Sequence, residues 1–216
     1  MQGSSRTYLP AAGEDWLLPL YDPVVKLLGG EAARKALLEQ ASLRPGQRVL
    51  DVGCGTGTMA MMVKRHYPEV DLVGLDPDPK ALARAARKAK RAGVSVQFDQ
   101  GFADQLPYAK GSFDRVLASF MFHHLPANEK EKMLRAVHHV LKPGGELHML
   151  DFEGPEDHQH GLLAHLFHSN ERLQDNSENR VVDLMRRSGF SDAKKVGRRR
   201  MLFGGVAYYQ AVVERG

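Results

Sequence analysis

The chain has few of the residues on which exported or metal-stabilised proteins depend. It contains a single cysteine, Cys54, among 216 residues, so an internal disulfide and a zinc site built from several thiolates are both excluded. No window reaches the roughly twenty apolar residues of a membrane span. The first residues include acids and prolines, where an export signal has a basic start and an apolar run. We therefore expect a cytoplasmic protein with no membrane span.

The charge of the chain is mildly basic, with a formal net charge of +4 and a pI of about 9.2. A basic surface can attract nucleic acid or acidic lipid. One group of cations, however, falls on the polar side of a predicted amphipathic helix, which is typical of a solvated face. Its members are Arg84, Arg87, Lys88, Lys90 and Arg91. Solvation also explains the run Arg198–Arg200, so nucleic acid is not an expected partner.

Short apolar segments alternate with helical ones along most of the chain. The predicted strands cover residues 49–52, 71–75, 94–98, 113–119 and 146–151. The predicted helices cover residues 31–43, 56–67, 78–92, 128–141 and 181–188. Strands separated by helices pair in parallel, because a parallel connection needs a long crossover. The last two extended segments, 193–203 and 206–213, are joined only by Gly204-Gly205, which permits an antiparallel hairpin and no crossover.

These patterns predict an α/β fold. We expect a doubly wound, mostly parallel, seven-stranded Rossmann-like sheet with one antiparallel strand in a C-terminal hairpin. In such sheets, ligands bind at the carboxyl ends of the strands.

A glycine-rich turn follows the first predicted strand, in the sequence Asp51-Val52-Gly53-Cys54-Gly55-Thr56-Gly57. Missing side chains let a ligand approach the backbone, and the helix that follows offers free N–H groups. Such a turn can bind a nucleotide or serve only as a tight turn. The second strand ends at Asp76, about twenty residues further on, where a carboxylate can accept hydrogen bonds from the ribose of an adenosine.

Four segments in a fixed order resemble the class I methyltransferases that use S-adenosylmethionine (SAM), in particular the UbiE-like branch, also called methyltransferase type 11. They are VLDVGCGTG at 49–57, GLDPDPKAL at 74–82, LPYAKGSFDRVLASFMFHHL at 106–125 and VLKPGGELHMLDF at 140–152. The resemblance implies an enzyme with SAM as cofactor and S-adenosylhomocysteine as product. Position 58 is threonine, whereas an enzyme that uses a nicotinamide dinucleotide more often has its third glycine there.

The resemblance also assigns cofactor contacts to this chain. It places Asp51, Gly53, Cys54, Gly55 and Gly57 around the amino-acid part of SAM, and Asp76 with Pro77 at the ribose. Ser119, where the fourth strand ends, is a further expected cofactor contact. The family commonly has an acid after the glycine that follows the third strand, but here Phe102 follows Gly101. Phe102 and Ala103 are therefore expected at the adenine, although Phe102 could equally be core.

The acceptor side is expected where the fourth and fifth strands end. His123 and His124 match a histidine pair that is frequent in the family, and Asp151 ends the fifth strand. A base is needed only if the acceptor loses a proton, and histidine suits that role near neutral pH. These three residues are the candidate catalytic residues, with the alternative that the histidines only shape the loop.

A second histidine group follows the fifth strand. Metal binding there is the less favoured interpretation, because no cysteine or carboxylate stands at a recognisable ligand spacing. No metal site is therefore predicted. The group consists of His158, His160, His165 and His168.

By the family resemblance, two segments enclose the acceptor. Residues 1–43 are expected to form an N-terminal helical cap, and residues 153–176 a lid inserted in the methyltransferase domain, 44–216. Apolar residues dominate both segments, which favours a small, partly apolar acceptor. The competing hypotheses are an RNA or protein methyltransferase, a non-catalytic SAM-binding module and a Rossmann oxidoreductase. The oligomeric state has no signal in the sequence.

Overall fold

The structure is a computed structural model, and it describes residues 29–153, 178–201 and 204–216. The helices in these ranges are α1 (Gly30–Ala41), α2 (Thr58–His66), α3 (Pro79–Ala92), α4 (Ala127–Val140) and α5 (Glu178–Arg187). The strands are β1 (Arg48–Val52), β2 (Asp71–Asp76), β3 (Gln97–Gln100), β4 (Phe113–Ser119), β5 (Leu141–Phe152), β6 (Asp192–Met201) and β7 (Gly204–Val212). A short 3-10 turn, Phe122–His124, lies between β4 and α4.

The strands in the described residues form one seven-stranded sheet in the order β3-β2-β1-β4-β5-β7-β6. The strands β1 to β5 pair in parallel, whereas β7 is antiparallel to both of its neighbours, β5 and β6. The predicted α/β fold, with one reversed strand in a C-terminal hairpin, is confirmed. The strand order reverses between β1 and β4, and this reversal places a crevice at the carboxyl ends of those two strands.

Both faces of the sheet are covered, which explains the unbroken apolar character of its central strands. Successive residues of a strand point to opposite faces. On β1, Val49 packs with α1 and α2 on one face, and Leu50 packs with α4 and α5 on the other. Helix α1 is part of the core, since Ala33 and Leu37 are fully buried.

Helix α3 is capped at both ends. The side chain of Asp78 accepts a hydrogen bond from the backbone N–H of Lys80, and Gly93 ends the helix in the left-handed conformation. Alanines and Leu82 form the buried side, as expected. Lys88 departs from the predicted solvated face, because its ammonium donates a hydrogen bond to the hydroxyl of Thr56 at 3.0 Å.

The strand bounds differ from the prediction most clearly at β3, β5 and β7. Strand β7 begins at Gly204, so Gly204 and Gly205, which were expected to join the two strands of the hairpin, pair with Met201 and Arg200 of β6 instead. Strand β3 was expected over 94–98 but begins at Gln97, because the backbone N–H of Val94 is still bonded to Ala89 in the cap of α3. Strand β5 was expected from residue 146 but begins at Leu141. Its pairing with β4 shifts register between Phe113 and Arg115, because residues 142–145, which include Pro143 and Gly144, have no pairing partner in β4.

The described helices include none that is long and apolar enough to cross a membrane. The histidine group from His158 to His168 lies outside the described residues, as do most of the expected cap and lid segments. The proposed domain boundaries therefore stay predictions.

Candidate cofactor and acceptor site

The glycine-rich turn joins β1 to α2 and is held against the end of β2. The backbone N–H groups of Gly53 and Cys54 both donate to the carbonyl of Leu75, at 2.8 and 3.1 Å. Gly53 has a φ of 69°, and an added Cβ there would lie 2.8 Å from Met121. Gly55 has a φ of 52°, and an added Cβ would meet nothing within 4 Å. The turn is thus closely packed at Gly53 and open at Gly55.

Asp76 lies beside this turn, as its position after β2 predicts. One carboxylate oxygen accepts from the N–H of Gly55 at 2.8 Å, and the other accepts from the N–H of Asp78 at 2.9 Å. Burial raises the pKa of Asp76 to about 6, even though these two hydrogen bonds oppose the rise. Each carboxylate oxygen has a second lone pair, so the carboxylate can still accept hydrogen bonds from a pair of hydroxyls.

Asp51 is the most unusual group of the site. It is fully buried, and neither of its carboxylate oxygens has a hydrogen-bond partner. Burial raises its pKa to about 7; the charge of Arg34 opposes this rise and that of Asp76 adds to it. A buried carboxylate without a partner is costly, and such groups in native structures usually mark a binding or catalytic role.

Arg34, on α1, is a further candidate site residue, which was not predicted from the sequence. Its side chain is only 7% exposed, and its guanidinium carbon lies 5.0 Å from the centre of the Phe120 ring. Phe120 itself has a φ of 56°, a conformation that bulky residues rarely adopt and that is found mostly at functional sites. The signal in the sequence was a lone cation in the apolar stripe of α1, between Ala33 and Leu37.

On the acceptor side, the 3-10 turn is bonded to the end of β5. The Nδ1 atom of His123 lies 2.6 Å from Oδ1 of Asp151, and the backbone N–H of His123 donates to Oδ2 at 3.0 Å. The backbone N–H of Phe152 donates to Oδ1 at 2.7 Å. Burial alone would raise the pKa of Asp151, but the charge of His123 and these hydrogen bonds hold it below its usual value.

His124 has a different position from its neighbour. Its ring contacts that of His123 in a tilted arrangement, with 4.0 Å between the ring centres and an interplanar angle of 40°. Its side chain is only partly buried, whereas His123 is 5% exposed. Of the two predicted histidines, His123 is the one that bonds to Asp151.

Comparison with known proteins agrees with this geometry. Residues 49–145 match the methyltransferase domain family. The demethylmenaquinone methyltransferase of Thermus thermophilus is 35% identical over 154 residues, which cover 70% of this chain and 69% of that protein. The ubiquinone/menaquinone biosynthesis C-methyltransferase UbiE of Vibrio cholerae is 33% identical over 141 residues. That match covers 62% of this chain and 54% of the Vibrio protein, so the chain spans about half the length of this relative.

The chain belongs to the UbiE-like family of class I SAM-dependent methyltransferases. The prediction of a SAM-dependent small-molecule methyltransferase is thereby confirmed. A solved structure agrees on the fold: the phosphoethanolamine N-methyltransferase 2 of Haemonchus contortus, in complex with phosphomonomethylethanolamine and S-adenosylhomocysteine, superposes with a TM-score of 0.73. It is 16% identical, and the match covers 87% of this chain and 54% of that one. At this identity the likeness concerns the fold alone.

The remaining predicted cofactor contacts of this methyltransferase lie at the same edge of the sheet. The N–H of Gly101 donates to the carbonyl of Asp76 at 3.1 Å, which brings the segment after β3 beside Pro77. In that segment Ala103 is buried, whereas Phe102 is only partly buried. Ser119 is 8% exposed at the end of β4. Contact of these residues with adenine or another part of SAM stays a prediction.

Cys54 is buried in the turn. Burial raises the pKa of its thiol well above the ordinary value, and the nearby charges of Asp51 and Asp76 add to the rise. The thiol therefore stays protonated at neutral pH and is a poor nucleophile.

Proposed function

We propose that this methyltransferase binds SAM across the glycine-rich turn and transfers its methyl group to a small, partly apolar ring compound. One observation carries the cofactor part: the carboxylate of Asp51 is fully buried without a hydrogen-bond partner, close enough to the buried guanidinium of Arg34 for that charge to lower its pKa.

The charges of these two side chains fit the amino-acid end of SAM, which carries an ammonium and a carboxylate. Asp51 would accept from the ammonium, and Arg34 would pair with the carboxylate, for which the planar guanidinium is suited. The cost of burying each charge would then be offset by an opposite charge of the ligand. The glycine-rich turn would lie along the ligand, with Gly55 leaving the space that a side chain would fill.

Asp76 would hold the ribose at the other end of the ligand. The N–H groups of Gly55 and Asp78 fix the orientation of its carboxylate. The side chain of Asp76 therefore loses little conformational entropy when hydroxyls bind to it. Bound SAM supplies a methyl group activated by the positive sulfur. The protein then has to exclude water and hold the acceptor close to that methyl group.

We propose an acceptor of the hydroquinone class, meaning a small aromatic ring that carries hydroxyl groups. The names of the two relatives support this choice, since both act in quinone methylation. Apolar and aromatic side chains at the same edge also support it: Met121 packs against the turn at Gly53, and Phe120 contacts Phe152 with 5.2 Å between ring centres. The proposal places this activity in the cytoplasm, as expected from the sequence.

Two measurements test the proposal. Calorimetry with SAM, S-adenosylhomocysteine and NAD should show binding of the first two and none of NAD. Preferential binding of NAD would refute the cofactor assignment. A screen of hydroquinones, phenols and amines for release of S-adenosylhomocysteine should then give turnover with the hydroquinones, and turnover with amines alone would refute the acceptor class.

A further inference from the structure

We infer that His123 and Asp151 form a general base with its positioning carboxylate, and that the acceptor therefore loses a proton from a hydroxyl group or an acidic carbon during methylation. This inference rests on the proposed function, because it concerns the acceptor of the same site. It selects His123 over His124 and limits the chemistry of the acceptor atom.

The hydrogen bonds of Asp151 define the tautomer of the imidazole. The carboxylate accepts from the backbone N–H groups of His123 and Phe152 and from the ring of His123. An ionised carboxylate can only accept, so Nδ1 of His123 carries the hydrogen and Nε2 is the basic nitrogen. A carboxylate that orients an imidazole in this way also stabilises the imidazolium that forms when Nε2 takes a proton.

The surroundings of the pair keep the imidazole plane fixed. The ring of His123 contacts the tilted ring of His124 on one side. It also meets the ring of Phe152 edge-on, with 5.0 Å between centres and an interplanar angle of 80°. Asp151 is 1% exposed, so the ion pair that would form on protonation is little screened by water. A fixed, desolvated pair of this kind is what proton transfer requires.

The pair also lies beside the turn that we assign to SAM. Met121, two residues before His123, is the residue that an added Cβ at Gly53 would strike. Strand β4, which precedes this loop, pairs with both β1 and β5. The base and the glycine-rich turn thus stand on the two sides of the crevice where the strand order reverses.

If His123 only held the loop in place, its imidazole would not need to bond to Asp151. The backbone N–H of His123 already ties the loop to Asp151, and so does the bond of Phe120 N–H to the carbonyl of Leu150 at 2.9 Å. The short bond from the imidazole adds a fixed tautomer to these two connections. An amide side chain could donate the same hydrogen bond but could not take up a proton, which separates the two roles experimentally.

In the proposed step, Nε2 of His123 takes the proton from the acceptor O–H or C–H bond. The electron pair left on the acceptor forms the bond to the methyl carbon, and the pair of the broken carbon–sulfur bond stays on sulfur. The imidazolium, opposed by Asp151, then releases its proton to water. An acceptor with no proton to lose, such as a tertiary amine or a thioether, would gain nothing from this base.

The test compares His123→Gln with the wild type. The amide of glutamine keeps a donor for Asp151 but has no basic nitrogen. The readout is release of S-adenosylhomocysteine with a short-chain 2-alkyl-1,4-naphthohydroquinone as probe, from pH 5.5 to 8.5. We expect wild-type kcat to rise with pH to a plateau, and His123→Gln to lose about a hundredfold or more in kcat together with that rise, while its Kd for SAM stays within about threefold. His139→Gln, an exposed histidine of α4, is the matched control.

A second variant and a direct observation of the tautomer complete the test. Asp151→Asn should lower kcat and change the pH profile, because it no longer enforces the Nδ1–H tautomer. In nitrogen-15 NMR of the wild type without acceptor, His123 should be the Nδ1–H tautomer and should lose that preference in Asp151→Asn.

An Nε2–H tautomer of His123 in the wild type would overturn the inference whichever acceptor is used. So would a His123→Gln enzyme with the kcat and pH profile of the wild type. A wild-type protein that fails to bind SAM would instead refute the proposed function, and the tautomer measurement would still decide on the pair.

Discussion

The cofactor half and the acceptor half of the site each contain a buried aspartate, and the pKa values of these two aspartates shift in opposite directions. In the cofactor half, burial raises the pKa of Asp51 to about 7, and neither of its oxygens has a partner. In the acceptor half, Asp151 is just as buried, yet its hydrogen bonds and the charge of His123 lower its pKa. Asp151 has both hydrogen bonds and a nearby imidazole within the protein, whereas Asp51 has the charge of Arg34 nearby but no hydrogen-bond partner. This difference supports our proposal that a ligand completes the cofactor half.

The largest effect is predicted for a substitution in the acceptor half, where the hydrogen-bonding groups of Asp151 all have partners. Replacing Asp151 by alanine leaves the buried donors of His123 and Phe152 without an acceptor, so we expect a loss of about 3 to 5 kcal/mol in the free energy of unfolding. Urea unfolding followed by circular dichroism measures it. Asp192→Ala, which removes an exposed pair with Lys194, is the control and should change stability by less than about 1 kcal/mol. A similarly small change in Asp151→Ala would mean that the pair is not formed.

The next effect concerns Asp76. Asp76→Ala should weaken SAM binding by roughly 2 to 4 kcal/mol, because a pair of charge-assisted hydrogen bonds to the ribose is lost. Calorimetry measures the change. Asp71→Ala is the matched control, since it removes an exposed carboxylate at the other end of the same strand. Unchanged affinity in Asp76→Ala would place the ribose elsewhere.

Asp51→Asn tests the cofactor half. Unlike Asp151→Ala, it should raise the free energy of unfolding of the ligand-free protein. The pKa of Asp51 is raised from 3.8 to about 7 on folding, so its ionised form opposes folding increasingly as the pH rises above about 4, up to about 7. We expect the variant without ligand to be more stable than wild type by roughly 1 to 3 kcal/mol at pH 8 and by little near pH 4. Thermal unfolding at both pH values measures this difference.

The control for Asp51→Asn is Asp114→Asn, because the pKa of Asp114 shifts in the opposite direction. The pKa of Asp114 is lowered: burial opposes the change, but hydrogen bonds from Lys142 and from the N–H of Arg48 outweigh it. Asp114→Asn should therefore destabilise the protein above pH 4. Destabilisation by Asp51→Asn as well would show that the carboxylate of Asp51 already has a favourable partner.

The smallest effect is expected from a change that keeps the charge of Arg34. Arg34→Lys retains a cation but loses the planar fork for a carboxylate, so SAM binding should weaken by about 0.5 to 1.5 kcal/mol. Lys35→Gln is the control, because Lys35 is exposed in a surface pair with Glu39. Equal affinities in the two variants would argue against contact between Arg34 and the ligand.

The two halves also differ in how far the sequence predicts them. The turn and Asp76 follow from local rules, because a glycine turn after a buried strand and an acid at the end of the next strand must meet at one sheet edge. The pairing of His123 with Asp151 joins residues 28 positions apart and depends on side-chain directions that residue order does not define. The sequence named both residues as candidates without indicating that they bond.

Tertiary packing accounts for what the sequence did not predict. Arg34 comes to the site because α1 packs on the sheet at Ala33 and Leu37, and the left-handed conformation of Phe120 has no counterpart in residue type. The irregularity in β5 arises at residues 142–145, which lie in the strand but have no pairing partner in β4. Each of these features is set by neighbours that are distant in the chain.

The most direct test of the central claim is the pH dependence of SAM affinity in the wild type and in Asp51→Asn. Only ionised Asp51 would bind the ammonium, and its pKa in the free protein is about 7. The wild-type Kd should therefore be roughly tenfold higher at pH 6 than at pH 7.5. In Asp51→Asn, binding should be weaker and should change by only about twofold over this range, because Asp76, with a pKa of about 6, still loses its proton there. A wild-type Kd that stays constant between pH 6 and 7.5 would contradict the claim that the ionised carboxylate of Asp51 binds the ammonium group of SAM.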